Sequence, residues 1–371
     1  LSLAHVLKQK APESNLVYIG NKGDTFDNGE VHYHDFDFVS FINGGKFRRY
    51  YGESVLRQIF DVKTVLLNIR DFFRVIGSTY KSIRILKRVK PDVVFSKGSF
   101  VAVPVGIAAI LLRIPIVTHD SDAMPGLANK ILGRWAKIHA TGLPAEFYNY
   151  PKDKVRYTGI PVDEHIKKVS EADKAKFKQA IGLSSDRFVL LVTGGGLGAR
   201  NINNKILEIA PELLLKYPKL HIVHIAGQKN EEVVAKSYQD LLREQPGNRV
   251  TVLSFTSDFY KYSSAADLIV TRAGGTALAE FAVAHKACIL IPNPFLAGGH
   301  QIKNAVGLQN IGAVEIVKEN DSAKVLLKKI VALITDSKRR KELEEKLGST
   351  AKINASAELA DILLEVAKTK K

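Results

Sequence analysis

At 371 residues, 46% hydrophobic and 25% charged, the chain is long enough for two α/β domains, and these proportions exclude disordered or collagen-like chains. One cysteine, Cys288 in the apolar run ACILIP, excludes a disulfide framework and a thiolate metal cluster and suits a reducing compartment. The formal net charge is +16, and the longest apolar run, VAVPVGIAAILL, stops at Arg113, too short to span a bilayer; no signal peptide is evident.

The chain opens in what reads as mid-helix, LSLAHVLKQKAP, and passes to a strand, LVYIG. A domain rarely starts inside a helix. Either residues precede Leu1, or the helix packs without the strand that would normally feed it. Between Lys46 and Lys90 stand twelve Lys or Arg and three acids, 12 − 3 = +9. There Val62, Val65, Leu66, Ile69, Phe72, Phe73, Ile76, Tyr80 and Ile83 recur at steps of three and four, the apolar stripe of a helix over 62–88, with Arg70, Arg74, Lys81 and Arg84 off the stripe. Such a helix either covers a core with a solvated basic face or docks on an anionic membrane surface. Nucleic acid is a third partner class, but no recognised RNA- or DNA-binding motif is present, and none is expected as a partner.

The first half continues with strand DVVFS, helix 101–112, strand IPIVTH, helix 125–134 and short strands IHAT and VRYTG. A new series opens with helix 170–181 and strand RFVLLVTGGG. It runs on through helix 200–216, strand HIVHIAG, helix 230–244, strand RVTVLSF, a short helix near 257–265, strand DLIVTR and helix 276–285. Strand CILIP, helix 300–311, strand VEIV and terminal helices close the chain. Strands alternating with helices predict parallel sheets covered on both faces, hence two doubly wound, Rossmann-like α/β domains facing a cleft at the carboxyl ends of their strands. The expected boundaries are 1–162 and 163–352, with a C-terminal helix of about 353–371 packing back on the first domain.

Three strand-to-helix junctions carry glycine: SKGSF at 96–100, TGGGLGARN at 193–201 and RAGGT at 272–276. Glycine lets a ligand approach the backbone, and the amides opening the next helix favour phosphate oxygens. The alternative is a tight turn that needs glycine for steric reasons alone. Gly194, Gly196 and Ala199 also fit the dinucleotide pattern G-x-G-x-x-A, but the next strand ends HIAGQKN, without the acid that would hold an adenosine ribose. Glu280 lies five residues beyond Gly275, about one and a half helical turns, a spacing that lets its carboxylate accept from both hydroxyls of a ribose; an ordinary exposed helix glutamate is the other reading. His300, Gln301 and Asn304 follow a glycine-rich loop, as sugar-hydroxyl ligands or as helix-start caps. In THDSDAMPGLANK, His119, Asp120 and Asp122 are the clustered acid-base candidates of the first half; their spacing matches no familiar metal-ligand pattern.

Taken together, GGGLGARNIN, RAGGTALAE, HQIKNA and HDSDAMPGLANK, in this order and spacing over nearly the whole chain, resemble the MurG family of inverting GT-B transferases. The resemblance implies transfer of N-acetylglucosamine from UDP-GlcNAc to the muramyl sugar of undecaprenyl-linked lipid I, giving lipid II in peptidoglycan synthesis, with no cofactor and no metal. It places Glu280 on the uridine ribose and Phe255 with Thr256 beside uracil. Gly194, Gly195, Gly196, Gly198, Gly274, Gly275 and Thr276 fall near the diphosphate, His300 and Gln301 near the donor sugar, and Arg200, Arg272 and Asn304 are further substrate-binding candidates. On the acceptor side it implies Gly98, Ser99 and Asp122, with Asp120 and His119 as catalytic candidates. A lipid acceptor implies a peripheral enzyme on the cytoplasmic face of the bacterial inner membrane, its basic apolar region 46–90 against anionic lipid.

Departures from the family pattern fall on both the acceptor and the donor side. The first glycine loop, of the G-G-T-G-G-H type, would precede Leu1; the H-E-Q-N run reads HDSD; the hydroxyl residue after R-x-G-x-x stands one place early, as Thr276 before Ala277; and Gly196 replaces a common serine. Another GT-B transferase with a different lipid or aglycone acceptor, or a nucleotide-sugar-binding fragment without turnover, shares the donor features.

Overall fold

A computed structural model describes residues 1–23, 34–45, 61–195, 198–243 and 249–369. The chain divides into two compact units, Leu1–Val162 with Phe295–His300 and Lys352–Lys371, and Asp163–Pro294 with Gln301–Ala351.

In the first unit, α1 (Ser2–Lys10) leads to β1 (Val17–Asn21), which pairs in parallel with β2 (Phe38–Ile42). The sequence pattern did not mark β2: FVSFI follows a stretch with no helical period and has Ser40 at its centre, so its five residues resemble loop until β1 lies beside them. Then come α2 (Val62–Val89), β3 (Val94–Ser96), α3 (Ala102–Leu111), β4 (Ile116–Asp120), α4 (Leu127–Leu132), β5 (Ala136–Thr141) and β6 (Val155–Tyr157). Strands β3 to β6 form a four-stranded parallel sheet in sequence order. All five residues of β4 are buried, as a strand covered on both faces requires.

Helix α2 begins where Asp61 accepts from the Thr64 amide and ends where Lys90 turns left-handed ahead of Pro91. Its orientation corrects the reading of its apolar stripe as a core face. Val62, Leu66, Ile69, Phe72, Phe73, Ile76 and Tyr80 are all at least half exposed. The buried face is instead Thr64, Asp71, Val75, Ser78, Ser82 and Leu86. Small residues allow close contact there: Ser78 Oγ donates to the Asn43 carbonyl at 2.6 Å, and a Cβ on Gly45 would lie 2.2 Å from the Asp71 carbonyl oxygen.

The second unit runs α5 (Glu171–Ala180), β7 (Phe188–Thr193), α6 (Arg200–Lys216), β8 (Leu220–Ile225), α7 (Glu231–Leu241), β9 (Val250–Leu253) and α8 (Phe259–Ala265). It continues with β10 (Leu268–Thr271), α9 (Gly275–Val283), β11 (Cys288–Leu290), α10 (His300–Asn310), β12 (Glu315–Ile316), α11 (Ala323–Thr335) and α12 (Ser337–Gly348). Its six strands are parallel in the order β12-β11-β10-β7-β8-β9. Strand periodicity divides the core between the two faces. Leu190, Val192, Ile222, Leu268 and Val270 pack on Ile202, Ile206 and Leu213 of α6 and on Leu326 and Ile330 of α11. Val189, Leu191, Val223, Ile269 and Leu290 pack on Leu278 and Phe281 of α9 and on Ala305 of α10. The last helix, α13 (Ala355–Lys368), belongs to the first unit, where Leu363 and Val366 join Leu3 and Leu7 of α1, and Lys10 pairs with Asp361 at 2.5 Å.

Candidate functional site

In the second unit the strand order reverses between β7 and β10: the chain builds outward through β8 and β9, then returns to the other side of β7. Because α6 and α9 cover opposite faces, the loops leaving β7 and β10 part at the carboxyl edge, and such a switch point is where doubly wound sheets bind ligands. Both expected glycine junctions stand at it. Helix α6 starts behind Ala199 and α9 behind Gly274, and neither N-cap residue supplies a side-chain cap.

The glycines there are of two kinds. A Cβ on Gly194 would lie 2.2 Å from the Ala199 nitrogen, and one on Gly198, at φ 71°, would lie 2.3 Å from the Ala226 carbonyl oxygen; the fold requires both. Gly195 and Gly274 face open space, with nothing within 4 Å of a built Cβ. Gly195 still needs glycine for its φ of 80°, whereas Gly274, at φ −76° and ψ 135°, has a backbone any residue adopts. Gly196 lies outside the described residues.

On α9, Gly275 is buried, Thr276 is exposed in the first turn, and Glu280 is half-buried one turn further on. Past β9, Phe255 is 52% exposed, a free aromatic face, while Thr256 Oγ1 accepts from the Asp258 amide at 3.1 Å ahead of α8. Past β11, Gln301 and Asn304 are not helix caps. Gln301 Oε1 accepts from the Asn293 amide at 2.9 Å, and Asn304 Nδ2 donates to the Ala273 carbonyl at 3.0 Å, tying α10 to the β10–α9 turn. Arg200 is exposed at the start of α6. Arg272, expected among the substrate-binding residues, is built into the fold: its guanidinium makes a two-point ion pair with Glu319 and donates to the Ile291 carbonyl at 2.8 Å. Glu319 escaped sequence reading because its partner is 47 residues away.

In the first unit, His119, Asp120, Ser96 and Gly98 surround Asn129, again a residue the sequence did not single out for a role. Asn129 Nδ2 donates to Asp120 Oδ1 and to the His119 carbonyl, both at 2.9 Å, while its Oδ1 accepts from Ser96 Oγ at 2.9 Å. Gly98, at φ 84°, passes over it, a Cβ there being 3.1 Å from Nδ2. Asp120 also accepts from the Gly126 amide at 3.2 Å and from Tyr150 Oη at 2.8 Å, and Tyr150 stacks on His139 at 3.7 Å between centroids. Tyr148 Oη donates to the Asp122 carbonyl at 2.8 Å. Ser99 is exposed, its Oγ accepting from the Val101 amide at the start of α3.

Both catalytic candidates lie buried in the first unit. His119 is fully buried; its Nε2 donates to the Gly159 carbonyl at 2.9 Å, Nδ1 has no partner among the described residues, and burial pulls its pKa down to about 4. Asp120 is 4% exposed, with both oxygens engaged, and burial raises its pKa against its hydrogen bonds. Asp120 holds the segment 121–126 through the Gly126 amide, while His119 is tied to Gly159. The more accessible side chains are Asp122 and His300, 4.0 Å apart, with Gly298 close enough that a Cβ would lie 3.2 Å from Met124 Sδ. Among the described residues no group of three or more His, Cys, Asp or Glu is placed to hold a metal ion.

Comparison with known proteins gives a consistent result. Residues 1–141 match the glycosyltransferase family 28 N-terminal domain, and residues 189–362 match the family's C-terminal domain. The chain is 32% identical over 346 residues to the "UDP-N-acetylglucosamine--N-acetylmuramyl-(pentapeptide) pyrophosphoryl-undecaprenol N-acetylglucosamine transferase" of Thermodesulfovibrio yellowstonii, a match covering 93% of this chain and 88% of the relative. It is 37% identical over 297 residues to a transferase of the same description, numbered 2, from Bacillus cereus, covering 79% and 76%. The crystal structure of Acinetobacter baumannii MurG superposes with a TM-score of 0.69 at 24% identity, covering 98% of this chain and 94% of that one. A UDP-GlcNAc 2-epimerase from Neisseria meningitidis bound to UDP-GlcNAc gives 0.63 at 16%, covering 98% and 95%. These two structures share the fold, which is GT-B.

Proposed function

This chain belongs to glycosyltransferase family 28, and from that premise we propose how its residues divide the work of the reaction. The enzyme transfers N-acetylglucosamine from UDP-GlcNAc to the muramyl sugar of undecaprenyl-pyrophosphoryl-linked N-acetylmuramyl-pentapeptide, converting lipid I to lipid II. The observation that carries our assignment of the donor site is the pair of glycine-bearing helix starts at the reversal of strand order.

In this reading the acceptor hydroxyl attacks the anomeric carbon from the face opposite UDP, inverting it, as the bond to the diphosphate oxygen breaks. Negative charge grows on the departing diphosphate, and the amides and positive ends of α6 and α9 stabilise it where it develops. Gly195, Gly274 and Thr276 face the phosphates, the Glu280 carboxylate accepts from the ribose hydroxyls, and Phe255 and Thr256 lie beside the uracil ring. Gln301 and Asn304, held against the β10–α9 turn, and His300 reach the donor sugar. Arg272 acts by holding the turn through Glu319. On the acceptor side Gly98, Ser99 and Asp122 meet substrate, while Asp120 positions the segment that carries Asp122.

The exposed apolar stripe of α2, flanked by Arg70, Arg74, Lys81 and Arg84, is the surface that docks on anionic lipid at the cytoplasmic face of the membrane. Each basic residue near the lipid adds on the order of 1 kcal/mol. Residues 46–60 of the basic region lie outside the described residues, and no described helix is long and apolar enough to cross a membrane.

The test is calorimetric titration of UDP-GlcNAc into the Glu280→Ala variant. Loss of charge-assisted hydrogen bonds to the ribose raises Kd by about tenfold or more; an unchanged Kd would remove Glu280 from the site. Supplying labelled UDP-GlcNAc with the muramyl lipid acceptor or with other lipid acceptors then checks acceptor identity, because label must appear in the muramyl product.

A further inference from the structure

The Arg272–Glu319 ion pair has a second end. Helices α6 and α9 pack on opposite faces of the sheet, so the core contacts of one do not fix the start of the other. A ligand that spans both starts needs them at a set separation. The short segment after β12 touches each of them.

Val317 continues the sheet, its amide donating to the Leu290 carbonyl at 2.9 Å. The chain then turns at residues 318–321, where the Asp321 amide donates to the Lys318 carbonyl at 3.1 Å and Asp321 Oδ2 accepts from the Lys318 amide at 2.8 Å. Closed by backbone and side chain at once, the turn keeps one conformation. On one side the Glu319 carboxylate takes both terminal nitrogens of Arg272, Oε1 accepting from Nη2 at 3.0 Å, two residues ahead of Gly274. On the other side the Glu319 carbonyl accepts from Asn201 Nδ2 at 3.3 Å, in the first turn of α6. One turn along α6, on the same face, Lys205 Nζ donates to the Asp321 carbonyl. All of these residues belong to the second unit.

The two ties differ in kind. The Arg272 and Glu319 side chains are 10% and 12% exposed, and a two-point pair set that deep fixes direction as well as distance. Removing either partner leaves a buried charge uncompensated. The ties to α6 end on backbone carbonyls, which substitution at 319 does not delete but which move with the turn. Because Glu319 gives its side chain to one junction and its carbonyl to the other, displacing the turn displaces both.

We propose that Glu319 is a positioning residue for the departing diphosphate, holding the starts of α6 and α9 at the separation that lets their amides share one diphosphate. This rests on the donor-site reading above and deepens it by naming what sets the spacing of the phosphate-binding pair. The nucleoside end depends on the turn far less. Glu280 lies further along α9, and Phe255 and Thr256 follow β9, at the opposite edge of the sheet from β12.

The experiment measures, on the full chain, the Kd of UDP by calorimetry and of uridine by ligand-observed NMR titration, together with kcat and KM for UDP-GlcNAc in the transfer assay. Glu319→Ala leaves the buried Arg272 charge uncompensated, so two milder variants are run beside it. Glu319→Gln keeps the shape and one acceptor, and Asn201→Ala leaves the ion pair intact. We expect UDP to bind about tenfold more weakly to Glu319→Ala and about threefold more weakly to Asn201→Ala, with Glu319→Gln between wild type and Glu319→Ala. Uridine affinity should change by less than about twofold, because its contacts lie away from the turn. Combining Asn201→Ala with Glu319→Ala should cost UDP less than the product of the two single losses, since both act through one turn. In each variant kcat should fall rather than KM alone rise, because charge on the diphosphate grows in the transition state.

Unchanged UDP affinity in Glu319→Gln and Asn201→Ala overturns the proposal. Equal weakening of UDP and uridine also overturns it and makes the turn a general support of the fold. Tighter UDP binding by Glu319→Gln does the same and makes Arg272 a phosphate ligand that Glu319 holds back. If UDP weakens in the Glu319 and Asn201 variants but not in Glu280→Ala, the spacing role stands and the ribose assignment fails. Weakening in Glu280→Ala alone keeps the donor site and removes Glu319 from it.

Discussion

Gly198 and Gly274 look alike in the sequence and differ in what they leave room for. Gly198→Ala would force a left-handed alanine against the Ala226 carbonyl, costing about 1 to 3 kcal/mol, to be read as a lower urea midpoint. Gly274→Ala meets no atom of the protein, so stability should hold within about 0.5 kcal/mol while UDP affinity falls, because the added methyl occupies ligand space. A Gly274→Ala protein with native affinity would show that the nucleotide does not approach there. The aspartate network admits the same treatment. Tyr150→Phe removes one donor from buried Asp120 and should cost about 1 to 3 kcal/mol in denaturant unfolding. Sequence alone marked Asp120 but not Tyr150 or Asn129, whose partners come from the β5–β6 connection and from α4.

Among elements, α2 was legible as a helix almost to the residue, yet its buried face was not. Periodicity reports that an apolar stripe exists; it does not report what lies against it. Phe73→Ser with Ile76→Ser should leave unfolding unchanged within about 1 kcal/mol, since both side chains are half or more exposed, while vesicle affinity drops several-fold. Unchanged vesicle binding would move the membrane contact elsewhere. Strands β4, β5 and β8 carry four histidines, His119, His139, His221 and His224, whose pKa values burial lowers from 6.5 to about 4. Unfolding restores the ordinary value, so between those limits the unfolded chain binds more protons, and stability falls as pH drops from about 6.5 towards 4. The raised pKa values of Asp120 and Glu344 work in the opposite direction, and the lowered pKa of His285 adds to the four histidines. Tm should therefore decline from pH 7 to pH 5, with net proton uptake on unfolding; a flat profile contradicts neutral burial of these rings.

For the whole molecule, two compact units imply two cooperative blocks, and a nucleotide held by the second should stabilise that block first. Saturating UDP-GlcNAc at one hundred times Kd adds about 2.7 kcal/mol. Hydrogen exchange should then slow in the segments after β7, β9 and β10 and in α9, and protection confined to residues 1–162 would place the nucleotide in the wrong unit. The sequence by itself determined the order of strands and helices apart from β2, the parallel pairing and the glycine junctions, because each follows from local periodicity and backbone sterics. Only the tertiary structure decided that the α2 stripe faces outward, that His119 and Asp120 are sealed in the core, and that Arg272 belongs to Glu319. Those outcomes depend on which distant groups arrive as neighbours, and burial and ion pairing act through space rather than along the chain.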